Sequence, residues 1–239
     1  MTADLFDLIL PCYNPLPGWA GNILVSVARL REALPDAEPH IVLVNDGSLR
    51  GIEAPDLDLL RASLPHFTYV SYNDNQGKGY ALRQGTAHAR HPLCLFTDID
   101  FPYEEASMAT LYRILSGPEV DIAAGVRDDG YYASVPPARV FISRSLRFLT
   151  RQLLRLPVSD TQCGLKGFNQ RGKALFLRSQ TKRYLFDLEF LYLAARQQGL
   201  RVRAVPVRLK PGVVFSRMSP QILLTEGRSF VKLLLGGLR

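Results

Sequence analysis

The sequence predicts an α/β fold, a mostly parallel sheet flanked by helices in a single domain. Three observations predict it. Apolar runs of strand length alternate with stretches of helical spacing, the pattern of βαβ units. The apolar runs are continuous, as in strands covered on both faces. Polar residues follow those runs directly, at the place where open α/β sheets bind their ligands.

The elements follow in order. Leu5 to Leu10 reads as a strand ended by Pro11. Asn22 to Leu34 has helical spacing of Leu24, Val27, Ala28 and Leu34. Ile41 to Val44 is a second buried strand, closed by Asn45-Asp46-Gly47-Ser48, and Phe67 to Ser71 is a third. A helix is expected from Gly79 to Arg90. The next strand, Leu93 to Thr97, carries Asp98-Ile99-Asp100 at its end, and Val120 to Gly125 adds a short strand. The pattern then changes. Arg127 to Pro137 reads as a loop, Ala138 to Leu156 as a long helix, and Asp160 to Phe168 as a Gly-containing loop or short strand. Phe186 to Gln198 is helical and Val202 to Leu209 a strand. A final helix begins near Ser219-Pro220, a good cap and first-turn pair. The expected organisation is one domain over 1–215, with a nucleotide-binding half (1–125) and an acceptor half (126–215), followed by an amphipathic helix in 216–239.

Composition narrows the class. The 239 residues are 47% hydrophobic and carry a formal net charge of +7, so a sizeable core coexists with attraction to polyanions or phosphorylated substrates. Cys12, Cys94 and Cys163 are odd in number and far apart, which suits reduced thiols of a cytosolic protein better than disulfides or zinc ligands. The amino terminus is acidic and leads straight into a strand, so it is not read as a secretory signal. No apolar run approaches the ~20 residues of a membrane span.

Asp98-Ile99-Asp100 is the most informative feature. Residues two apart on a strand point the same way, so both carboxylates are expected to meet a hard divalent cation at the ligand edge of the sheet. Other strand ends deliver Pro11-Cys12-Tyr13-Asn14, Asn45-Asp46-Gly47-Ser48 and Asn75-Gln76-Gly77-Lys78-Gly79 to the same edge. A nucleotide is expected there, with Asp46 accepting from a base or ribose and Lys78 neutralising phosphate. Each piece alone also makes an ordinary turn. Four of them at four strand ends point to a site.

These segments resemble the family 2 glycosyltransferases of GT-A fold, a Rossmann-like architecture, and in particular the polyprenyl-phosphate sugar synthases, the dolichyl-phosphate glucosyl- and mannosyltransferases. The resemblance rests on Leu10 to Asn14, Val44 to Ser48, Asn75 to Gly79 with Gly85, Asp98-Ile99-Asp100, Gly125-Val126-Arg127, Asp160 to Lys166, and Phe186 to Glu189, in family order over residues 5 to 210. It implies a nucleotide-sugar donor, Mg²⁺ or Mn²⁺ at the Asp-x-Asp, and inversion at the anomeric carbon. Two departures stand out. Position 45 is Asn where the family usually has Asp, although Asp46 matches the base-contacting aspartate. Pro102 replaces a polar residue that often joins the metal. The form Asp160-Thr161-Gln162-Cys163-Gly164 resembles the glucosyl branch, which favours UDP-glucose, with GDP-mannose as the other donor. The candidate residues are Pro11, Tyr13, Asn14, Asp46, Lys78, Asp98 and Arg127 for the nucleotide sugar; Arg139, Arg144, Gln162 and Lys166 for the acceptor; Asp98 and Asp100 for the metal; and Asp100, Asp160, Asp187 and Glu189 for catalysis.

A nucleotide diphosphate leaves with negative charge, which a metal and Lys78 or Arg127 would stabilise. A sugar hydroxyl acceptor needs a general base, for which Asp187 is the first choice. A phosphomonoester needs none, because its second pKa is about 6. Asp160 would then orient the Gln162-Cys163-Gly164 loop. Arg144, Arg147, Arg151 and Arg155 form a stripe along the helix Ala138 to Leu156, opposite Ile142, Leu146, Leu149, Leu153 and Leu156. That stripe suits either a solvated face or anionic headgroups, and peripheral attachment at the inner face of the membrane is expected. His40, His66, His88 and His91 are read as surface or packing residues. The competing functions are a family 2 enzyme acting on a soluble or polysaccharide hydroxyl and, from another class, a basic nucleic-acid-binding protein. No recognised nucleic-acid module is present, and no nucleic-acid partner is expected.

Overall fold

The computed structural model describes residues 3–127, 156, 158 and 160–213. The expected helix Ala138 to Leu156 up to its last residue, with Arg139 and Arg144, the Arg127 to Pro137 loop beyond its first residue, and the C-terminal helix of 216–239 lie outside the described residues.

A seven-stranded sheet forms the centre, in the order β3-β2-β1-β4-β6-β5-β7. Its first half is β1 (Asp4–Cys12), α1 (Trp19–Ala33), β2 (Ala37–Asp46), α2 (Ala54–Ser63), β3 (Phe67–Tyr72), α3 (Lys78–His88) and β4 (Cys94–Phe96). Then come α4 (Glu105–Ser116), β5 (Ile122–Arg127), β6 (Lys166–Phe168), α5 (Gln170–Phe176), α6 (Phe186–Arg196) and β7 (Val202–Val207). β1 lies parallel to β2 and β4, β2 to β3, and β5 to β7. β6 alone runs antiparallel, wedged between β4 and β5. The strand from the second half of the chain therefore lies within the sheet built by the first.

Side-chain alternation divides the core into two layers. Leu8, Leu10, Ile41 and Leu43 face α1 and α4, with Ile23, Val27, Met108 and Leu111 packed on them. Ile9, Val42, Val44 and Phe96 face the opposite way, toward α3, α5 and α6. That second layer is aromatic: Phe96, Phe168, Phe176, Phe186 and Phe190 stack with centroids 5.0–6.3 Å apart. Gly85 lets α3 sit directly on the sheet, since a Cβ there would meet Ile9 Cγ2 at 2.3 Å.

Four elements differ from expectation. α2 and α5 are short: α2 buries only Leu60 and α5 is seven residues long, so neither imposes a strong periodicity. α4 buries Met108, Leu111, Tyr112 and Leu115 at helical spacing, but its cap residue, Glu104, makes no side-chain capping bond. The largest difference concerns the Asp-x-Asp. β4 stops at Phe96, and Asp98 to Phe101 form a turn closed by the Phe101 N–H on the Asp98 carbonyl at 3.0 Å. Strand alternation therefore does not place the two aspartates; both sit on this turn, near enough that Asp98 acts on the Asp100 carboxyl. Phe101 adopts φ +47° with its side chain buried, an unfavourable backbone held by core packing. The three cysteines are buried and form no disulfides, and burial pushes the Cys12 and Cys94 thiols up to about 12. No helix among the described residues is long and apolar enough to cross a membrane.

Candidate active site

The carboxyl ends of β1, β2 and β4, the amino end of α3 and the loop before β6 meet at one edge of the sheet. Asp98 stands at its centre. Its Oδ1 accepts a bond from Lys78 Nζ, at the first residue of α3. On the other side the loop before β6 closes in through Gly164, where a Cβ would lie 2.7 Å from Asp98 Oδ2. Asp98 nevertheless keeps 39% of its side chain exposed. Asp100 is exposed on the same turn. Its carboxyl is pushed up, by loss of hydration first and by Asp98 next. Burial favours the neutral form of Lys78, yet Asp98, Asp187 and Asp100 around it hold its ammonium above the ordinary lysine value. Two carboxylates and an ammonium on one open edge suit a divalent cation and a phosphate chain.

A second, closed set of charges supports this one. Lys166 is fully buried on β6 and donates to Asp187 at 2.6 Å, and to the carbonyls of Thr161 at 3.0 Å and Cys163 at 2.5 Å. Its three protons go to Asp187 and to two carbonyls of the 161–163 loop, so Lys166 is a clamp beneath the site and in this arrangement offers no donor to an acceptor. Burial pushes the Asp187 carboxyl up, against the pull of Lys166 and Lys78. Gly164 N–H donates to the Tyr103 hydroxyl at 3.0 Å, which fixes the loop from the other side. Asp160 is buried and receives the Arg127 backbone N–H at 3.1 Å, Nε at 2.7 Å and Nη2 at 2.7 Å. The expected phosphate cation and the expected catalytic carboxylate thus hold each other.

The nucleotide-side candidates divide as sharply. Asp46 is buried, and both of its oxygens are engaged. Oδ1 accepts from the Tyr72 hydroxyl and Gln76 N–H, each at 2.8 Å; Oδ2 accepts from Asn75 Nδ2 at 2.8 Å and Gly77 N–H at 2.9 Å. Four bonds fill a carboxylate, so in this arrangement Asp46 shapes the loop leading to Lys78 and has no lone pair left for a base. Asn14 ties β1 to β2: its N–H donates to Ser48 Oγ at 2.9 Å, and its Oδ1 accepts from Leu49 N–H at 2.9 Å. Asn45 accepts from the Ser48 N–H at 2.9 Å and donates Nδ2 to the Tyr69 hydroxyl at 3.0 Å and Ser71 Oγ at 3.2 Å, donations that an amide makes and a carboxylate cannot. Tyr13 is half exposed beside them, Pro11 lies within β1, and Gln162 is partly buried. Glu189 caps the 180–181 turn through the N–H groups of Gln180 and Thr181 at 2.9 and 2.7 Å, which removes it from the candidate acids. Tyr72 and Tyr103 were not anticipated. Tyr103 lies three residues past Asp100, close enough in sequence to have been weighed with it.

The histidines include one unexpected cluster. Asp7, His40 and His91 bring ligand atoms within 4.8 Å of one another. They lie toward the opposite, amino edge of the sheet. Asp7 Oδ1 is 2.7 Å from His40 Nδ1, and Oδ2 accepts from the N–H groups of Arg90 and His91 at 2.8 and 2.7 Å. His40 Nε2 pairs with Thr68 Oγ1 at 2.9 Å. Every ligand atom of Asp7 and His40 is already bonded within the protein, so the cluster is a tie between strands.

Comparisons with known proteins bear on the family and the fold. The description "Glycosyl transferase family 2" matches residues 7–173. The glycosyltransferase AglD of Haloferax volcanii is 28% identical over 208 residues, 86% of this chain and 33% of that protein. The dolichyl-phosphate beta-glucosyltransferase of Saccharomyces cerevisiae is 26% identical over 224 residues, 84% of this chain and 65% of that protein. The chain thus spans between a third and two thirds of these relatives' length. Among solved structures, mannosyl-3-phosphoglycerate synthase from Rubrobacter xylanophilus superposes with a TM-score of 0.70 at 16% identity, covering 99% of this chain and 74% of that one. Glucosyl-3-phosphoglycerate synthase from Mycobacterium tuberculosis, in complex with Mn²⁺, uridine diphosphate and phosphoglyceric acid, superposes at 0.66 and 16% identity, covering 98% and 78%. Those two share the GT-A fold expected from the sequence. The family description spans both the β4 turn and the β6 loop, and by that match this chain belongs to glycosyltransferase family 2.

Proposed function

We propose that this protein transfers a hexose, with inversion, from a nucleoside-diphosphate sugar to a polyprenyl phosphate, and that UDP-glucose is the donor. Asp98 and Asp100 would hold Mg²⁺ or Mn²⁺, and Lys78 would meet the diphosphate. A bound ion supplies charge stabilisation to the departing nucleoside diphosphate. The residues fit such an ion: both carboxylates are hard oxygen donors, and Asp98 already carries a cation, the Lys78 ammonium. The relatives named dolichyl-phosphate beta-glucosyltransferase in yeast, fly and human supply the donor sugar and the acceptor class.

One observation favours a phosphate acceptor. The acids expected to serve as base are engaged: Asp187 by Lys166, Asp160 by Arg127, and Glu189 by two backbone amides. A hydroxyl acceptor needs a base worth about 10²–10⁴ in rate. A phosphomonoester, largely dianionic at neutral pH with a second pKa of about 6, attacks without one. Asp187 supports the second reading, a hydroxyl acceptor, because its raised carboxyl pKa suits proton abstraction. The basic stripe in 138–156 and the amphipathic 216–239 segment support attachment at the cytoplasmic face of a membrane, on sequence grounds alone.

The test is transfer from UDP-glucose to a short-chain polyprenyl phosphate, compared with soluble hydroxyl acceptors, in wild type and Asp187→Asn. Transfer to the phosphate that falls by less than about 10²-fold in the variant supports the proposal. Transfer to hydroxyl acceptors alone, abolished in the variant, replaces it with the second reading.

A further inference from the structure

We propose that Lys78 is a latch on the metal-binding carboxylate: without donor its ammonium holds Asp98, and an arriving diphosphate draws it away, so that the divalent ion is taken up with the nucleotide and not before it. The inference rests on the nucleotide-sugar reading above and adds an order of assembly to it.

The geometry carries it. Among the described residues Lys78 has one close carboxylate partner, Asp98 Oδ1. Of the other two acids near its ammonium, Asp187 is already bonded to Lys166 at 2.6 Å, and Asp100 acts on it more weakly from the same turn as Asp98. The far oxygen of Asp98 faces the backbone at Gly164. One side of the carboxylate is thus covered by an ammonium and the other by a loop clamped through Lys166 and Tyr103. A divalent ion binding Oδ1 at about 2.0–2.1 Å must displace Lys78 or accept a second cation in contact. A diphosphate offers Lys78 a better partner, since lysine is a standard point-charge ligand for phosphate. Its place at the start of α3 adds the helix dipole, which also favours an anion there. The Lys78 stem stays fixed in α3, so only the ammonium has to swing.

The test measures donor-free Mn²⁺ affinity directly, by electron paramagnetic resonance of free Mn²⁺ or by water-proton relaxation, in wild type, Lys78→Met and Lys78→Gln. UDP affinity is measured in parallel by calorimetry with saturating Mn²⁺. Circular dichroism melts check that both variants fold, and Asp98 is open enough to tolerate the lost partner. Lys182→Met serves as control, since Lys182 is a nearby exposed cation bonded to Gln76 and not to Asp98. The latch predicts opposite signs: donor-free Mn²⁺ binding tightens about tenfold in both Lys78 variants, while UDP binding weakens about tenfold. The Lys182 variant changes neither. A Mn²⁺ gain below about threefold in both Lys78 variants, or an equal gain in Lys182→Met, overturns the latch even where UDP binding weakens. If wild type binds no UDP with Mn²⁺, the donor reading itself fails and the latch with it.

Discussion

The two edges of the sheet carry similar side chains and use them differently. Toward the amino edge, Asp7 bonds His40 and two backbone N–H groups, and Asp121, just ahead of β5, bonds Asn169 and the Arg201 N–H. At the carboxyl edge, Asp98 and Asp100 project from a turn, one paired with a lysine and the other exposed. The residue type does not separate them; the number of acceptor positions already filled does. A saturated carboxylate ties strands together, whereas an open one can hold something that comes and goes. Asp46 makes the point within a single edge, because it lies beside the site and is as saturated as Asp7.

Substitutions can break or sharpen this contrast, and the open carboxylates give the largest effect. Asp100→Asn removes the charge of a proposed metal ligand from an exposed position on the turn. Transfer should fall on the order of 10³-fold while the thermal midpoint stays within error. Retained transfer in this variant, or full wild-type activity in excess EDTA, would show that the open edge does not hold a metal.

Lys166→Met comes next and tests the clamp. It strips the cation from buried Asp187 and two carbonyls, and breaking a buried pair on one side costs about 3–5 kcal/mol. Chemical denaturation should read a loss of that size. A loss below about 1 kcal/mol would mean that Lys166 is not a buried structural partner.

Asp46→Ala tests saturation near the site. It removes the acceptor that holds Gln76 and Gly77, so stability should fall by about 1.5–3 kcal/mol. Donor affinity should weaken through the displaced Lys78 loop, with the metal requirement unchanged. Calorimetry showing weaker donor binding with full stability would return Asp46 to direct contact with the nucleotide.

The smallest effect belongs to the amino edge and to pH. Burial alone would raise the Asp121 carboxyl, but Asn169, the Arg201 N–H and the guanidinium groups of Arg171 and Arg201 hold it below the ordinary aspartate value. A lowered folded value means that this stabilisation is full above the unfolded pKa of about 3.9 and is lost as pH falls through the folded value. Asp121→Asn should therefore lower stability at neutral pH and flatten the acid limb of a stability-versus-pH curve. An unchanged acid limb would show that Asp121 does not titrate in this window.

Much of the fold was legible in the sequence because its strands are continuous apolar runs: Ile41 to Val44 and Leu93 to Phe96 can be little else. The order of polar strand ends carried the family resemblance and located the edge. What the sequence hid was saturation. Asp46, Asp98, Asp160 and Glu189 look alike in one dimension. Their partners stand 31, 20, 33 and 9 residues away, at Gly77, Lys78, Arg127 and Gln180, and only folding brings them together. Lys166 looked like an acceptor cation for the same reason, since β6 carries it into the core by pairing with β4 and β5. The turn at Asp98 was hidden differently. Phe101 takes a left-handed backbone that its residue type disfavours, so local preference gave no hint that β4 ends at Phe96.

The most direct test of the central claim is a transfer assay with labelled UDP-glucose and a short-chain polyprenyl phosphate, run with Mn²⁺ and again in excess EDTA. The proposed function predicts a labelled lipid product with Mn²⁺, loss of that product with EDTA, and on the order of 10³-fold less from Asp100→Asn. A protein that binds UDP with Mn²⁺ yet labels only hydroxyl acceptors, or that labels the lipid equally well in EDTA, would contradict it.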